Sequence, residues 1–199
     1  MLAEQLFTKH AVPMVPDLAG GRPAVIAAGS AAPRQNSLNL NMEHQKQTNW
    51  CWAAVSFSVN HLFGGTAWTQ CKIAGAELNK SRCCIDPLDP TNPQEDCNKT
   101  WFLQKALSRV RNLRKFTAGS KSFVDVIREI DGGLPLGCRI GWSAGGGHFV
   151  AIDGYLEQAG VMDVDVCDPW YGDSTISYTS FMTNYQGKGS WTHSYTTKR

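Results

Sequence analysis

Gln45-Lys46-Gln47-Thr48-Asn49-Trp50-Cys51-Trp52-Ala53-Ala54-Val55 sets one cysteine at the mouth of an apolar helical stretch, with a glutamine six residues before it. Trp52, Val55, Val59 and Leu62 recur at the three-to-four spacing of one helix face, and Thr48 and Asn49 are polar residues of the N-cap type. The spacing predicts a helix whose first turn holds Cys51. Unpaired backbone N–H groups and the positive end of the helix dipole favour a thiolate over a thiol in such a turn. A free cysteine is more often a small buried hydrophobe, so a catalytic reading needs His and Asp or Asn partners elsewhere in the chain.

Those partners stand in a suitable context. Gly145-Gly146-Gly147-His148-Phe149-Val150-Ala151-Ile152 is a glycine turn that delivers a histidine to the start of an apolar strand. After a turn at Glu157 to Gly160, Val164 and Val166 alternate with Asp163 and Asp165, and the run closes at Cys167-Asp168-Pro169-Trp170-Tyr171-Gly172. Two antiparallel neighbours joined by a short turn bring the start of one beside the end of the next, so His148 and Asp168 can meet. Asp153 lies on the same strand as His148, five residues on at about 3.3 Å each, and is too far away to serve. His44 and His61 flank the helix without a glycine turn or a strand mouth. The Gly145 to Gly147 run lacks the strand-turn-helix context of a dinucleotide loop.

The segments 45–55, 147–152 and 168–172, in the order Gln, Cys, His, Asp, resemble the motifs of bacterial papain-like cysteine peptidases of the AvrRpt2 type, which are related to bacteriocin-processing peptidase-like enzymes. The resemblance spans about residues 38 to 185, and three ordered motifs are far more specific than any one. It implies a papain-like fold and peptide-bond hydrolysis. Cys51 then attacks as a thiolate, His148 pairs with it and protonates the leaving amine, and Asp168 orients the imidazole. The Gln45 amide and the Cys51 backbone N–H supply the oxyanion hole. Gln47 competes with Gln45 for that role, and the resemblance implies Gln45, because its spacing of six to the nucleophile matches the family.

The remaining sequence fits one α+β domain. Leu103, Ala106, Leu107 and Val110, and then Phe123, Val126, Ile127 and Ile130, follow helix spacing. Strand patterns cover 136–142, 149–156, 162–167, 175–178 and 191–196, which gives a helical lobe followed by an antiparallel lobe with the site in the cleft between them. Residues 1–36, rich in Ala, Pro and Gly, read as a flexible leader or linker ahead of a catalytic domain over 37–199. The formal net charge of +2 points to no nucleic-acid partner, and Arg109, Arg111, Arg114 and Lys115 read as the solvated side of a helix. There is no apolar run of about 18 residues to span a membrane, and no ordinary signal peptide. No motif calls for a metal or a cofactor.

Six of the seven cysteines remain once Cys51 is set aside, and they are informative. Cys71, Cys83, Cys84 and Cys97 crowd a Pro- and Asn-rich stretch that reads as a loop without its own core, which staples would hold. Adjacent Cys83 and Cys84 point different ways, so the expectation is two bridges pairing each with Cys71 or Cys97. The spacing lacks the C-x2-C knuckle usual for zinc. The same Cys, Cys-Cys, Cys-Asn arrangement belongs to the AvrRpt2 resemblance. Cys138 and Cys167 fall in strands and are expected to be buried and inert. A compact catalytic domain behind a linker, with disulfides, suggests a bacterial toxin or effector, secreted or delivered into a target cell by a secretion system. Its partners would be a protein or peptide substrate and a cognate immunity or inhibitor protein. The same triad also serves amidases, deamidases and transferases acting on cell-wall peptides or side-chain amides. Val15-Pro16-Asp17-Leu18-Ala19-Gly20-Gly21 resembles the segment that proteases of this type cut in themselves, without its aromatic residues, and suggests self-cleavage between Gly20 and Gly21.

Overall fold

The structure, a computed structural model, describes residues 32–85 and 94–199. The leader with its Gly20-Gly21 pair lies outside the described residues. The described elements are β1 (Arg34–Ser37), α1 (Cys51–Leu62), α2 (Gln70–Leu78), α3 (Gln94–Cys97), α4 (Leu103–Arg109), β2 (Leu113–Ala118) and α5 (Phe123–Asp131). They continue with β3 (Leu136–Trp142), β4 (Gly147–Gln158), β5 (Val161–Cys167), β6 (Ser174–Ser177), α6 (Tyr178–Thr183) and β7 (Gly189–Thr197). All strands pair antiparallel in one seven-stranded sheet of order β2-β7-β3-β4-β5-β6. β1 adds to β4 at Tyr155, beyond the end of the β3 pairing at Ile152.

Alternation along the strands makes both faces of this sheet apolar. Phe149 and Ala151 of β4, with Tyr195 of β7, pack under α1, α2 and α4 around Trp52, Val55, Ile73 and Leu107. Val150 and Ile152, with Leu136, Cys138 and Ile140 of β3, face the other way onto α5 and Phe181 of α6. The strand signals at 136–142, 149–156 and 162–167 fall on β3, β4 and β5, and the two later helix signals fall on α4 and α5.

Some expectations change. α5, whose apolar stripe Phe123, Val126, Ile127 and Ile130 is buried, belongs to the far face of the sheet and not to the helical lobe. The cysteine-rich stretch carries α2 and α3 and is not merely a loop; Thr69 caps α2 by accepting from Lys72 N–H, and Ile73 and Ala74 are buried. The strand expected through Tyr178 stops at Ser177, whose side chain caps α6 by accepting from Ser180 N–H. The basic residues near 109 to 115 do not share a helix: α4 ends at Arg109, Arg111 turns with φ of 67°, and Arg114 and Lys115 lie on β2. No described helix is long and apolar enough to cross a membrane.

Candidate active site

Cys51 opens α1 and is 8% exposed. As the first helical residue its N–H has no carbonyl one turn back within the helix, so it is free to donate into the cleft. The expected capping by Thr48 or Asn49 is absent: the cap residue is Trp50, with no side-chain capping bond. Those polar side chains instead grip the segment 97–99. Asn49 donates through its backbone N–H to Asn98 Oδ1 (2.9 Å) and through Nδ2 to Asn98 O (3.1 Å), and Asn98 Nδ2 donates to Thr48 Oγ1 (2.8 Å). Trp50 Nε1 donates to Cys97 O (2.7 Å) and Trp52 Nε1 to Lys99 O (3.0 Å). Cys97 is itself bonded to Cys83, and Cys71 to Cys84, so both bridges brace this side of the cleft and leave no free thiol among the four for zinc.

Gln45 is buried beside Cys51 in the cleft wall. Its Nε2 donates to Gln47 O (2.9 Å) and Thr48 O (2.8 Å), while its Oε1 has no described partner. Its backbone N–H crosses to Pro169 O at 2.9 Å, tying the helical side to the end of β5. The Gln47 side chain is not part of the cleft lining, and its carbonyl also accepts from Trp50 N–H.

Opposite Cys51, β4 begins where Gly145 and Gly146 adopt φ of 93° and 81°, values that strain any residue with a side chain. Gly147 is required for space: a Cβ there would lie 2.8 Å from both Arg139 Nη2 and Ile140 O. The next residue, His148, is 7% exposed and donates from Nε2 to Asp168 Oδ1 at 2.8 Å. That leaves Nδ1 for the Cys51 sulfur, which is a hydrogen-bonding and charge neighbour of the ring. Burial works against a charged ring, but the Asp168 carboxylate and the Cys51 sulfur outweigh it and push the His148 imidazole up to about 9. Asp168 is 2% exposed and fully engaged: Oδ1 also accepts from the N–H groups of Trp170 (2.7 Å) and Tyr171 (2.9 Å), and Oδ2 from Tyr185 O–H (2.7 Å). Burial raises this carboxyl, yet the imidazole and those N–H donors hold it below the ordinary carboxylate value. Asp153 is elsewhere, accepting from Leu40 N–H.

Aromatic rings shield the imidazole from water. Trp142 stacks over His148 at 6.0 Å and over Tyr185 at 6.4 Å, and Tyr171 meets His148 edge-on at 6.1 Å. His44 stacks on Trp170 at the rim, and His61 on Phe57 away from the cleft. Trp142, Tyr185, Asn98 and Arg139 are side chains of this site that sequence patterning did not single out. Trp142 carried a strand-end signal and Asn98 followed a quoted cysteine, but neither their distant partners nor those of Tyr185 can be read from local spacing. The cleft has a volume of about 700 Å³ and runs between α1 and the β2-β7-β3-β4 part of the sheet.

Helices followed by an antiparallel sheet, with a helix-start cysteine facing a histidine and a buried carboxylate across a cleft, make up the layout of a papain-like thiol peptidase. The family model described as papain-like cysteine protease AvrRpt2 matches residues 34–186, and the chain belongs to that family, a papain-like cysteine peptidase acting on protein substrates. No curated protein matches the chain.

Proposed function

We propose that Cys51 is the nucleophile of peptide-bond hydrolysis, with His148 as its ion-pair partner and proton donor and Asp168 as the group that orients the ring. The observation that carries this reading is the buried His148–Asp168 hydrogen bond beside Cys51 at the start of α1. A cationic ring next to the sulfur stabilises a thiolate. The thiolate adds to the scissile carbonyl carbon, and the C–N bond breaks as His148 gives its proton to the departing amine. Water, deprotonated by the now neutral imidazole, then cleaves the thioester and regenerates Cys51.

The tetrahedral oxyanion is met by the Cys51 N–H and by Gln45. The Gln45 amide also fixes the Gln47 and Thr48 carbonyls on the approach to Cys51. Both Nε2 protons are held by those carbonyls, so one turns from its carbonyl to the oxyanion as charge develops, an exchange favoured because an anion is a stronger acceptor than a neutral carbonyl. We further assign the enzyme to the bacterial effectors that are secreted or delivered into a target cell. The family match and two disulfides, which persist in oxidising compartments, support that assignment.

The test is incubation of wild-type and Cys51→Ala protein with a cell lysate, followed by mass spectrometry of new N-termini. New termini with wild type and none with the variant are expected. Equal products from both remove Cys51 from the mechanism, and glutamine-to-glutamate mass shifts in place of new termini replace hydrolysis of the backbone with side-chain deamidation.

A further inference from the structure

Arg139 enters the cleft from β3, and its surroundings are unusual for a cation. It forms no ion pair among the described residues. Its two described side-chain partners are neutral oxygens: Nη1 donates to Thr192 Oγ1 at 3.0 Å and Nη2 to Gly146 O at 3.0 Å. A guanidinium carries five N–H donors in a rigid fork, so three remain after these tethers have fixed its plane. No Asp or Glu is found among the described residues that line the cleft. Further cations sit behind its aromatic walls, with Lys105 Nζ 4.9 Å from the Trp101 ring centre and Lys188 Nζ 5.6 Å from that of Trp142. The charge of Arg139 is felt locally, since after burial it is what lowers the pKa of the neighbouring His193.

Sheet order fixes which part of the cleft this is. Passing from β2 through β7, β3 and β4 to the turn after β5, the side chains met are Phe116, His193, Arg139, His148 and Trp170. Arg139 and the exposed Trp170–Tyr171 pair therefore lie on opposite sides of His148. Nη2 reaches Gly147, the residue next to His148, which places the fork within about three residues of the scissile bond for an extended peptide rising about 3.3 Å per residue. Phe116, Phe149 and Tyr195 supply apolar walls around it, and a charge contact made between such walls is stronger than one made in open water.

We propose that Arg139 is a specificity-determining residue that selects an acidic side chain in the substrate, on the β2-β7-β3 side of Cys51 and within three residues of the cut. This rests on the peptidase reading above. The carboxylate accepts from the free N–H groups of the fork while the tethers to Thr192 and Gly146 stay in place, so binding needs no rearrangement of the wall. A Lys or Arg at the same substrate position meets an uncompensated like charge and is rejected.

The experiment takes the best-cut sequence from a proteome-derived peptide library and synthesises it with Glu, Gln or Lys at each position within three residues of the cut. Wild type is expected to prefer Glu over Gln at one position by about tenfold in kcat/KM, the value of one charge-assisted contact. Arg139→Gln should equalise the two while still cutting the Gln peptide, and Arg139→Glu should favour Lys. A residue that only tethers the glycine turn would lower all three rates together, and that result overturns the proposal. So does a wild-type enzyme that cuts Glu and Gln peptides equally, a measurement that needs no variant to fold. A wild-type protein that cuts no peptide at all overturns the peptidase reading and this inference with it.

Discussion

His148 holds a proton at neutral pH because Asp168 and the Cys51 sulfur outweigh its burial, and this has consequences for both rate and stability. With a folded pKa near 9, above the unfolded value near 6.5, the ring stabilises the fold fully below pH 6.5. That contribution is lost as pH rises through about 9. The kcat/KM profile of wild type should fall along the same alkaline limb, and Asp168→Asn should move the limb to lower pH, since the neutral amide no longer holds the proton on the ring. An unmoved limb in Asp168→Asn would detach the carboxylate from the imidazole. Gln45→Ala should cost about 2.7–4 kcal/mol of transition-state stabilisation, read as a fall in kcat with KM little changed. If Gln47→Ala shows that loss and Gln45→Ala does not, the oxyanion donor is Gln47. Tyr185→Phe removes the donor to Asp168 Oδ2 and leaves a buried carboxylate oxygen unpaired. A loss of about 1–3 kcal/mol in denaturant unfolding, together with a lower kcat, is expected; unchanged unfolding would show that water replaces the phenol.

Between elements, the disulfide-bonded segment before α4 is the brace of Cys51. Residues 97–99 exchange five hydrogen bonds with residues 48–52, so the Cys51 N–H is positioned from α3 and its bridge as much as by α1 itself. The bridges span 13 and 14 residues of sequence, and loops of that length contribute about 3 kcal/mol each. Reductant should therefore lower Tm. Asn98→Ala, which removes two of the five bonds and keeps both bridges, should lower kcat more than it changes KM or Tm. A fall in Tm with kcat preserved would make the brace purely structural. The two bridges were legible in the cysteine arrangement, but their hold on Cys51 was not. α4, α5 and β5 announced themselves by a regular apolar stripe, and α1, β3 and β4 by apolar runs that the fold buries on more than one side. β1 is exposed along its whole length, β2 lies at the sheet edge with Arg114 and Lys115 outward, and α2 buries little beyond Ile73 and Ala74, so none had a period to read. Cys51, His148 and Asp168 stood out by local context. Tyr185, Trp142, Asn98 and Arg139 act on partners brought near only by the fold.

Over the whole molecule, the region that matches the family ends at residue 186, yet the sheet is not complete there. β7, Gly189–Thr197, lies between β2 and β3 and pairs with both, so without it β3 loses one neighbour and β2 its only described partner. β7 also serves both cores: Trp191 is 5% exposed against α6, and Tyr195 is 2% exposed beneath the helices. Gly189 is where the strand enters beneath Trp142, whose ring a Cβ there would approach to 2.6 Å. His193 and Tyr195 wall the cleft next to Arg139. A chain ending at residue 187 keeps the matched region and the whole Cys51, His148 and Asp168 constellation, but it exposes the β3 edge and opens both cores. Such a chain should give no cooperative unfolding transition and no peptidase activity. A chain ending at Thr197 keeps the buried bond from Thr197 Oγ1 to Pro135 O and loses only the exposed Lys198–Arg199 end, with its backbone bonds to Asn112. It should melt cooperatively, a few degrees below the full chain, and retain activity. Thermal unfolding and turnover of the two truncations decide the matter, and a folded, active chain ending at 187 would mean that β7 is dispensable to both the sheet and the cleft.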